Sequence, residues 1–151
     1  MRWEDLFADL EAQAAALGVA ERAAEVAELT RLEASRLDLA SRLRPAVGAS
    51  ITVRCLGATV LSGRLAGVGT GWLLLDEGAG REALLATAAL TSVAGLGRLS
   101  GAGGTAVDAR LGIGQLLRGV ARDRSVLRVH LTDSSVLDGT LDRVGADHVE
   151  L

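Results

Sequence analysis

Residues 51–75, ITVRCLGATVLSGRLAGVGTGWLLL, and residues 127–151, LRVHLTDSSVLDGTLDRVGADHVEL, decide the fold. Offset by 76 positions (129 − 53), they overlay without a gap. Val53 falls on Val129, Val60 on Val136, Leu61 on Leu137 and Gly63 on Gly139; Leu65 falls on Leu141, Val68 on Val144, Gly69 on Gly145 and Leu75 on Leu151. Ile51 over Leu127 and Cys55 over Leu131 are apolar matches. An ungapped overlay with paired glycines indicates an internal duplication of one strand-rich module. The pair Gly63 and Gly139 asks for the same strand bend or close approach in both copies.

In the first copy Ile51, Val53 and Cys55 alternate with Thr52 and Arg54, the period of a half-buried strand. Gly57-Ala58 is a turn, Thr59 to Ala66 a second strand, and Gly67, Gly69 and Gly71 permit tight bending after it. Trp72 to Leu75 is a third strand and Asp76 to Gly80 a loop. Arg81 to Ala86 is a fourth strand, Thr87 to Leu90 a single helical turn, and Thr91 to Ala94 a fifth strand. That is the layout of a small barrel over residues 50–96. The second copy, residues 126–151, reaches only the counterpart of Leu75, so its fourth and fifth strands are missing and its edges are expected to be open. The expectation is a truncated fragment, or an edge completed by another module or another chain. Leu73 and Leu75 pair with Val149 and Leu151 as the inward set; Trp72 and Leu74 pair with His148 and Glu150 as the outward set. The apolar outward face of copy one is expected to be covered by the N-terminal helix or a second subunit.

Residues 1–45 read as one long helix rich in Ala, Leu, Glu and Arg. Leu6, Leu10 and Leu17 mark one stripe, with Ala14, and Leu29, Leu32, Leu39 and Leu43 a second. Gly18 is expected to loosen it, an Asp38–Arg42 pair to support it, and Pro45 to end it. A helix this long, roughly 60 Å at ~1.5 Å per residue, outruns a small domain, so a second copy is its simplest partner. Residues 97–124 read as a Gly-rich linker followed by a connector helix from about Ala106 to Arg122, capped by Thr105.

The chain has 151 residues and a net charge of −3, with 49% hydrophobic but only 2% aromatic residues, so its core must be Leu, Val and Ala. All 16 basic residues are Arg. The missing Lys removes amine-nucleophile, Schiff-base and phosphate-loop chemistry. No apolar run reaches the ~18 to 20 residues of a membrane span, and Glu4, Asp5 and Asp9 break the signal-peptide order. A soluble, cytoplasmic chain without membrane association is expected.

Candidate chemistry is sparse. Cys55 excludes an internal disulfide and reads as an inert core thiol. His130 and His148 face outward, and Asp133, Asp138 and Asp147 show no metal-ligand spacing. Gly101-Ala102-Gly103-Gly104-Thr105 lacks the Gly-Lys-Ser/Thr ending of a phosphate loop and reads as linker. Gly67-Val68-Gly69-Thr70-Gly71 sits in a strand-to-strand turn, the wrong setting for a dinucleotide fingerprint. No catalytic, metal or cofactor-binding residue is assigned. Arg110, Arg118 and Arg122 lie at helical spacing, followed by Arg124 and Arg128, and are the candidate nucleic-acid stripe. Leu29, Leu32, Leu39, Leu43, Trp72 and Leu74 are the candidate partner interface.

The opening Met1-Arg2-Trp3-Glu4-Asp5-Leu6-Phe7-Ala8-Asp9-Leu10-Glu11, with the segments Asp76 to Leu85 and Val136 to Leu151, resembles a family of actinobacterial proteins with no assigned activity, some labelled Fis-type transcriptional regulators. That resemblance brings no catalytic residue. Gly139-Thr140-Leu141 followed by Val144-Gly145-Ala146-Asp147 is similar to the Gly-x-Leu and following Asp of Sm-like and SH3-like small barrels. The expected fold is α+β: a long N-terminal helix, then two duplicated small β-barrel modules, the second incomplete, joined by a helix; the resemblance implies that the modules are of the SH3-like or Sm-like kind. The expected function is non-catalytic assembly through a homodimer or protein partner; the alternative is an Sm-like RNA- or DNA-binding regulator using the Arg stripe.

Overall fold

In the computed structural model, which describes residues 3–98 and 111–151, helix α1 (Trp3–Ser35) runs 33 residues and passes through Gly18 without interruption. The break comes later. The last turn tightens as the N–H groups of Arg36 and Leu37 donate to Glu33 and Ala34 at 3.1 and 3.2 Å. Asp38 then takes an extended conformation, and its carboxylate accepts the Ser41 N–H at 2.8 Å, capping α2 (Leu39–Leu43). A capping residue lies outside the helix it starts, so the expected single helix is two. Pro45 sits in a 3-10 turn (Arg44–Ala46) that continues α2, where its fixed φ fits and its missing N–H costs nothing. Met1–Leu37 and Asp38–Leu151 are separate compact units.

In the second unit, β1 (Ser50–Cys55), β2 (Val60–Gly69), β3 (Trp72–Gly78), β4 (Arg81–Ala86) and β5 (Leu90–Ala94) form one antiparallel sheet in the order β4-β3-β2-β1-β5. A 3-10 turn at Thr87–Ala89 precedes β5, where a single helical turn was expected. β4 and β5 end the order, and among the described residues no ladder closes the sheet into a barrel. Its buried face gathers Ile51, Val53, Leu65, Val68, Leu73, Leu75 and Leu85 under Leu43 and Ala46, with Ala83, Leu90 and Val93 at the margin. Gly67 and Gly69 lie inside β2 rather than in the bend after it. Their lack of a side chain makes room for the Trp72 indole, which a Cβ on Gly69 would strike.

The second copy repeats this geometry at the same offset. β6 (Val126–His130) pairs with β7 (Val136–Thr140), and Leu127↔Gly139 and Val129↔Leu137 answer Ile51↔Gly63 and Val53↔Leu61. β8 (Arg143–Val144) pairs with β9 (Val149–Glu150), and Val144↔Val149 answers Val68↔Leu73. β2 carries a register shift between Leu65 and Gly67; at the corresponding point the second copy breaks between β7 and β8.

The repeat also begins earlier than the overlay indicates. α3 (Ile113–Arg122) precedes β6 as α2 and its 3-10 turn precede β1. α3 packs on β8, and α2 packs on β2, the strand whose far end β8 reproduces. The left-handed residue before the first strand is Gly48 (φ 92°) in one copy and Arg124 (φ 50°) in the other. In the hairpin turn it is Ala58 (φ 59°) and Ser134 (φ 73°). The connector is therefore the opening helix of the second module as well as a link. The helix was expected from about Ala106, but Leu111 and Gly112 are not helical and Gly112 is extended (φ −81°, ψ 155°), so α3 begins only at Ile113; Thr105 and Ala106 themselves lie outside the described residues.

Candidate functional site

Three surfaces hold the side chains that sequence reasoning singled out. The first is α1. Trp3, Phe7, Leu10, Ala14 and Leu17 follow at alternating steps of four and three, and all are exposed. Leu29 and Leu32 continue the apolar exposure at 55% and 49%. Around them, exposed polar groups pair locally: Arg31 with Glu28 at 2.9 Å, and Gln13 with Asp9 at 2.9 Å. Leu39 and Leu43, expected to extend the Leu29–Leu32 stripe, stand on α2 beyond the break, and Leu43 is fully buried in the core of the second unit. It is a core residue rather than a partner contact, because the Asp38 cap ends one helix and starts another.

The second surface is the outward face of β3. Trp72 is 3% exposed and Leu74 half-buried. The Trp72 Nε1–H donates to the Leu111 carbonyl at 2.7 Å, and Thr70 bridges Gly112 in parallel. The expected cover was the N-terminal helix or a second subunit; the chain's own Leu111–Gly112 covers it instead. Sequence reasoning missed this role: it placed Leu111 with Val107, Leu117 and Val120 on the apolar side of the connector helix, whereas Leu111 precedes the helix and contributes a backbone carbonyl. Gly112 also starts α3, its N–H donating to Gln115 Oε1 at 3.1 Å.

The third surface is the second module. Its inward set is only partly covered: Val149 and Leu151 are 38% and 43% exposed, whereas Leu73 and Leu75 are fully buried. His148, at the Trp72 position, is exposed, with Nδ1 3.0 Å from Asp147 Oδ1 and its ring above Gly145 as Trp72 stands above Gly69. His130 is exposed, as expected. Asp133 ties the β6–β7 turn by accepting the Ser135 hydroxyl and N–H at 2.6 and 2.9 Å, which hold its carboxyl below the usual range. The two equivalent hairpin turns touch: Ser134 Oγ donates to the Gly57 carbonyl at 3.0 Å. A Cβ on Gly57 would stand 3.0 Å from the Leu131 carbonyl oxygen.

The arginine stripe is divided. Arg118 and Arg122 are exposed on α3. Arg128 forks onto Asp138 at 2.7 and 3.1 Å, which holds the Asp138 carboxyl below its usual range and raises the guanidinium. Arg124 Nη2 is 4.0 Å from Asp142. Arg110 lies outside the described residues. Arg42 donates to the carbonyls of Gly97 and Arg98 at 2.6 and 2.9 Å, and Asp38 serves the α2 cap.

Two grooves also mark the described surface. One of about 580 Å³ runs beside β1, β2 and β3, where the Thr52 and Ser62 hydroxyls lie 2.9 Å apart. The other, about 360 Å³, is bounded by Asp38, Arg44, Thr70 and Thr87. Cys55 is half-buried, and burial pushes its thiol up, away from thiolate reactivity. Among the described residues no three His, Cys, Asp or Glu converge on a metal site, and no helix is long and apolar enough to cross a membrane. Among the described residues, these surfaces offer apolar contact on α1 and exposed guanidinium groups on α3. Comparison with family models, curated proteins and solved structures gives no match to this chain.

Proposed function

We propose that this chain is a non-catalytic assembly protein of the cytoplasm, joined to a second copy through α1 and presenting two small β modules. The observation that carries this reading is the exposed apolar line Trp3, Phe7, Leu10, Ala14, Leu17 on a helix about 50 Å long (33 residues at ~1.5 Å). Alternating steps of four and three are the spacing at which two helices interlock, and large apolar side chains left in water favour such pairing. The modules are of the SH3-like or Sm-like kind in this reading. The strand order β4-β3-β2-β1-β5 with a 3-10 turn before β5 supports that assignment. Membership of the actinobacterial family that the opening residues resemble is part of the same proposal.

Light scattering across a concentration series tests the assembly reading. The unaltered chain is expected to have twice its 15.5 kDa mass, and a Phe7→Glu, Leu10→Glu chain the single mass with an unchanged β signal. A single mass for the unaltered chain at all concentrations overturns it. The second reading, nucleic-acid binding through α3, rests on the exposed pair Arg118 and Arg122. It predicts salt-sensitive binding of RNA or DNA that Arg118→Ala with Arg122→Ala weakens.

A further inference from the structure

From Leu10 to Ala34, alternating steps of three and four trace one line along α1, and Trp3 stands on it one heptad before Leu10. The line divides by size. Its first half holds Trp3, Leu10, Gln13 and Leu17; its second half holds Ala20, Ala24, Ala27, Arg31 and Ala34. All of them are exposed. Phe7 and Ala14 flank the line on one side, followed there by Glu21 and Glu28.

Size sets a direction for a second copy. A parallel pair puts each residue against itself, Leu17 on Leu17 in the first half and Ala27 on Ala27 in the second. Packed helix axes stand about 8–10 Å apart according to the side chains between them. A parallel pair must therefore spread over its first half or leave voids over its second. Turned head to tail about a point between Gly18 and Val19, Trp3 faces Ala34, Leu10 faces Ala27, Gln13 faces Ala24 and Leu17 faces Ala20. Each of these layers then holds one large and one small side chain, so one spacing serves the whole length.

Charge sets the same direction. Residues 3–18 of α1 carry acids and no base, whereas residues 19–35 hold Arg22 and Arg31. Parallel pairing brings the two acid-only halves together and sets Arg31 on Arg31 within the seam. Antiparallel pairing lays both arginines along the acid-only half of the other copy, with Arg31 within a turn of its Asp9. The flanking Glu21 and Glu28 then meet Ala14 and Phe7, which carry no charge.

We propose that the second copy lies antiparallel on α1, with Leu10 and Leu17 of each helix seated on Ala27 and Ala20 of the other. The inference rests on pairing through α1 and adds its direction. The two Ser35 ends of such a pair point in opposite directions.

Disulfide trapping reads the direction in the full chain. Two chains are made, both with Cys55→Ser, one with Gln13→Cys and the other with Ala24→Cys, and mixed in a glutathione redox buffer. Both should keep the doubled mass in light scattering. A disulfide needs Cα atoms within about 7 Å. In the antiparallel pair positions 13 and 24 face each other, while each same-site pair is out of step by roughly 16 Å (24 − 13 residues at ~1.5 Å). The 13–24 product should exceed each same-site product at least tenfold. Nitroxide labels on a Cys55→Ser, Ala34→Cys chain give a second reading, since the two labels should lie roughly 45 Å apart (34 − 3 residues at ~1.5 Å). A doubled mass with same-site products dominant, with equal yields, or with the position-34 labels close together overturns the antiparallel inference and leaves the pairing standing. A single mass for the unaltered chain at all concentrations removes the pairing, and this inference with it.

Discussion

Replacing Trp72 by Ala tests the core of module one against its own duplicate. The indole is 3% exposed, lies over Gly67 and Gly69, and donates to the Leu111 carbonyl. Truncating a buried aromatic costs ~3–5 kcal/mol, and the Leu111 acceptor loses a hydrogen bond worth ~1 kcal/mol net within that figure. His148 occupies the equivalent place but is exposed, so His148→Ala should stay within ~0.5 kcal/mol. Urea unfolding followed by far-ultraviolet circular dichroism measures both. Trp72→Phe separates the contributions: it keeps most of the ring and loses the N–H, for a cost of ~1–2 kcal/mol. In a Trp3→Phe chain Trp72 is the only indole, and its emission should be blue-shifted in the folded state and red-shifted on unfolding. If Trp72→Ala costs under ~1 kcal/mol, or no more than His148→Ala, then Leu111–Gly112 does not cover the ring and the burial argument is wrong.

Other outcomes follow from the same geometry. Ala58→Gly should stabilise by about 0.5–1 kcal/mol in urea unfolding, since φ 59° strains a residue with a Cβ and the wider freedom of Gly in the unfolded chain offsets part of the gain. Gly57→Ala should break the contact between the hairpin turns, seen as faster amide exchange at Ser134, because the new Cβ meets Leu131 backbone at positive φ. The Asp138 carboxyl is held low mainly by its hydrogen bond from Arg128, so this stabilisation is present above the ordinary carboxyl value of 3.8 and is lost as pH falls through the lower folded value. Exchange protection in β6–β7 should fall with acid over that window, and Asp138→Asn should remove this pH dependence. Cys55 should react with an alkylating reagent more slowly than a free thiol and speed up on unfolding, because burial disfavours its thiolate.

The strands were legible because their side chains alternate and because the sequence prints them twice. Val53, Leu65 and Leu75 have apolar counterparts at Val129, Leu141 and Leu151, and that repetition marks the same strands in both copies; which residues face one another across them comes from the pairing itself. The opening helices repeat in shape but not in letters. Leu43 lies opposite Gly119 and Gly48 opposite Arg124, so nothing at the residue level marks α2 and α3 as equivalents. The α1–α2 break was hidden because Leu29, Leu32, Leu39 and Leu43 keep helical spacing across it; the capping oxygen of Asp38, not the apolar pattern, decides it. The cover over Trp72 was hidden for a third reason, since a backbone carbonyl has no signature in a side-chain sequence.

The placement of β5 beside β1 also sets an order in time. Val53 meets Val93 across 40 residues of chain (93 − 53), whereas Val129 meets Leu137 across eight (137 − 129). Closing a longer loop costs more entropy before any contact repays it, and non-local pairing slows folding. The β6–β7 hairpin can therefore zip locally as soon as its few residues are free to move. The β1–β2 hairpin can zip as locally, since Val53 meets Leu61 across eight residues (61 − 53), but β5 reaches β1 only once Ala94 arrives, so the two sides of one strand are paired on two different clocks.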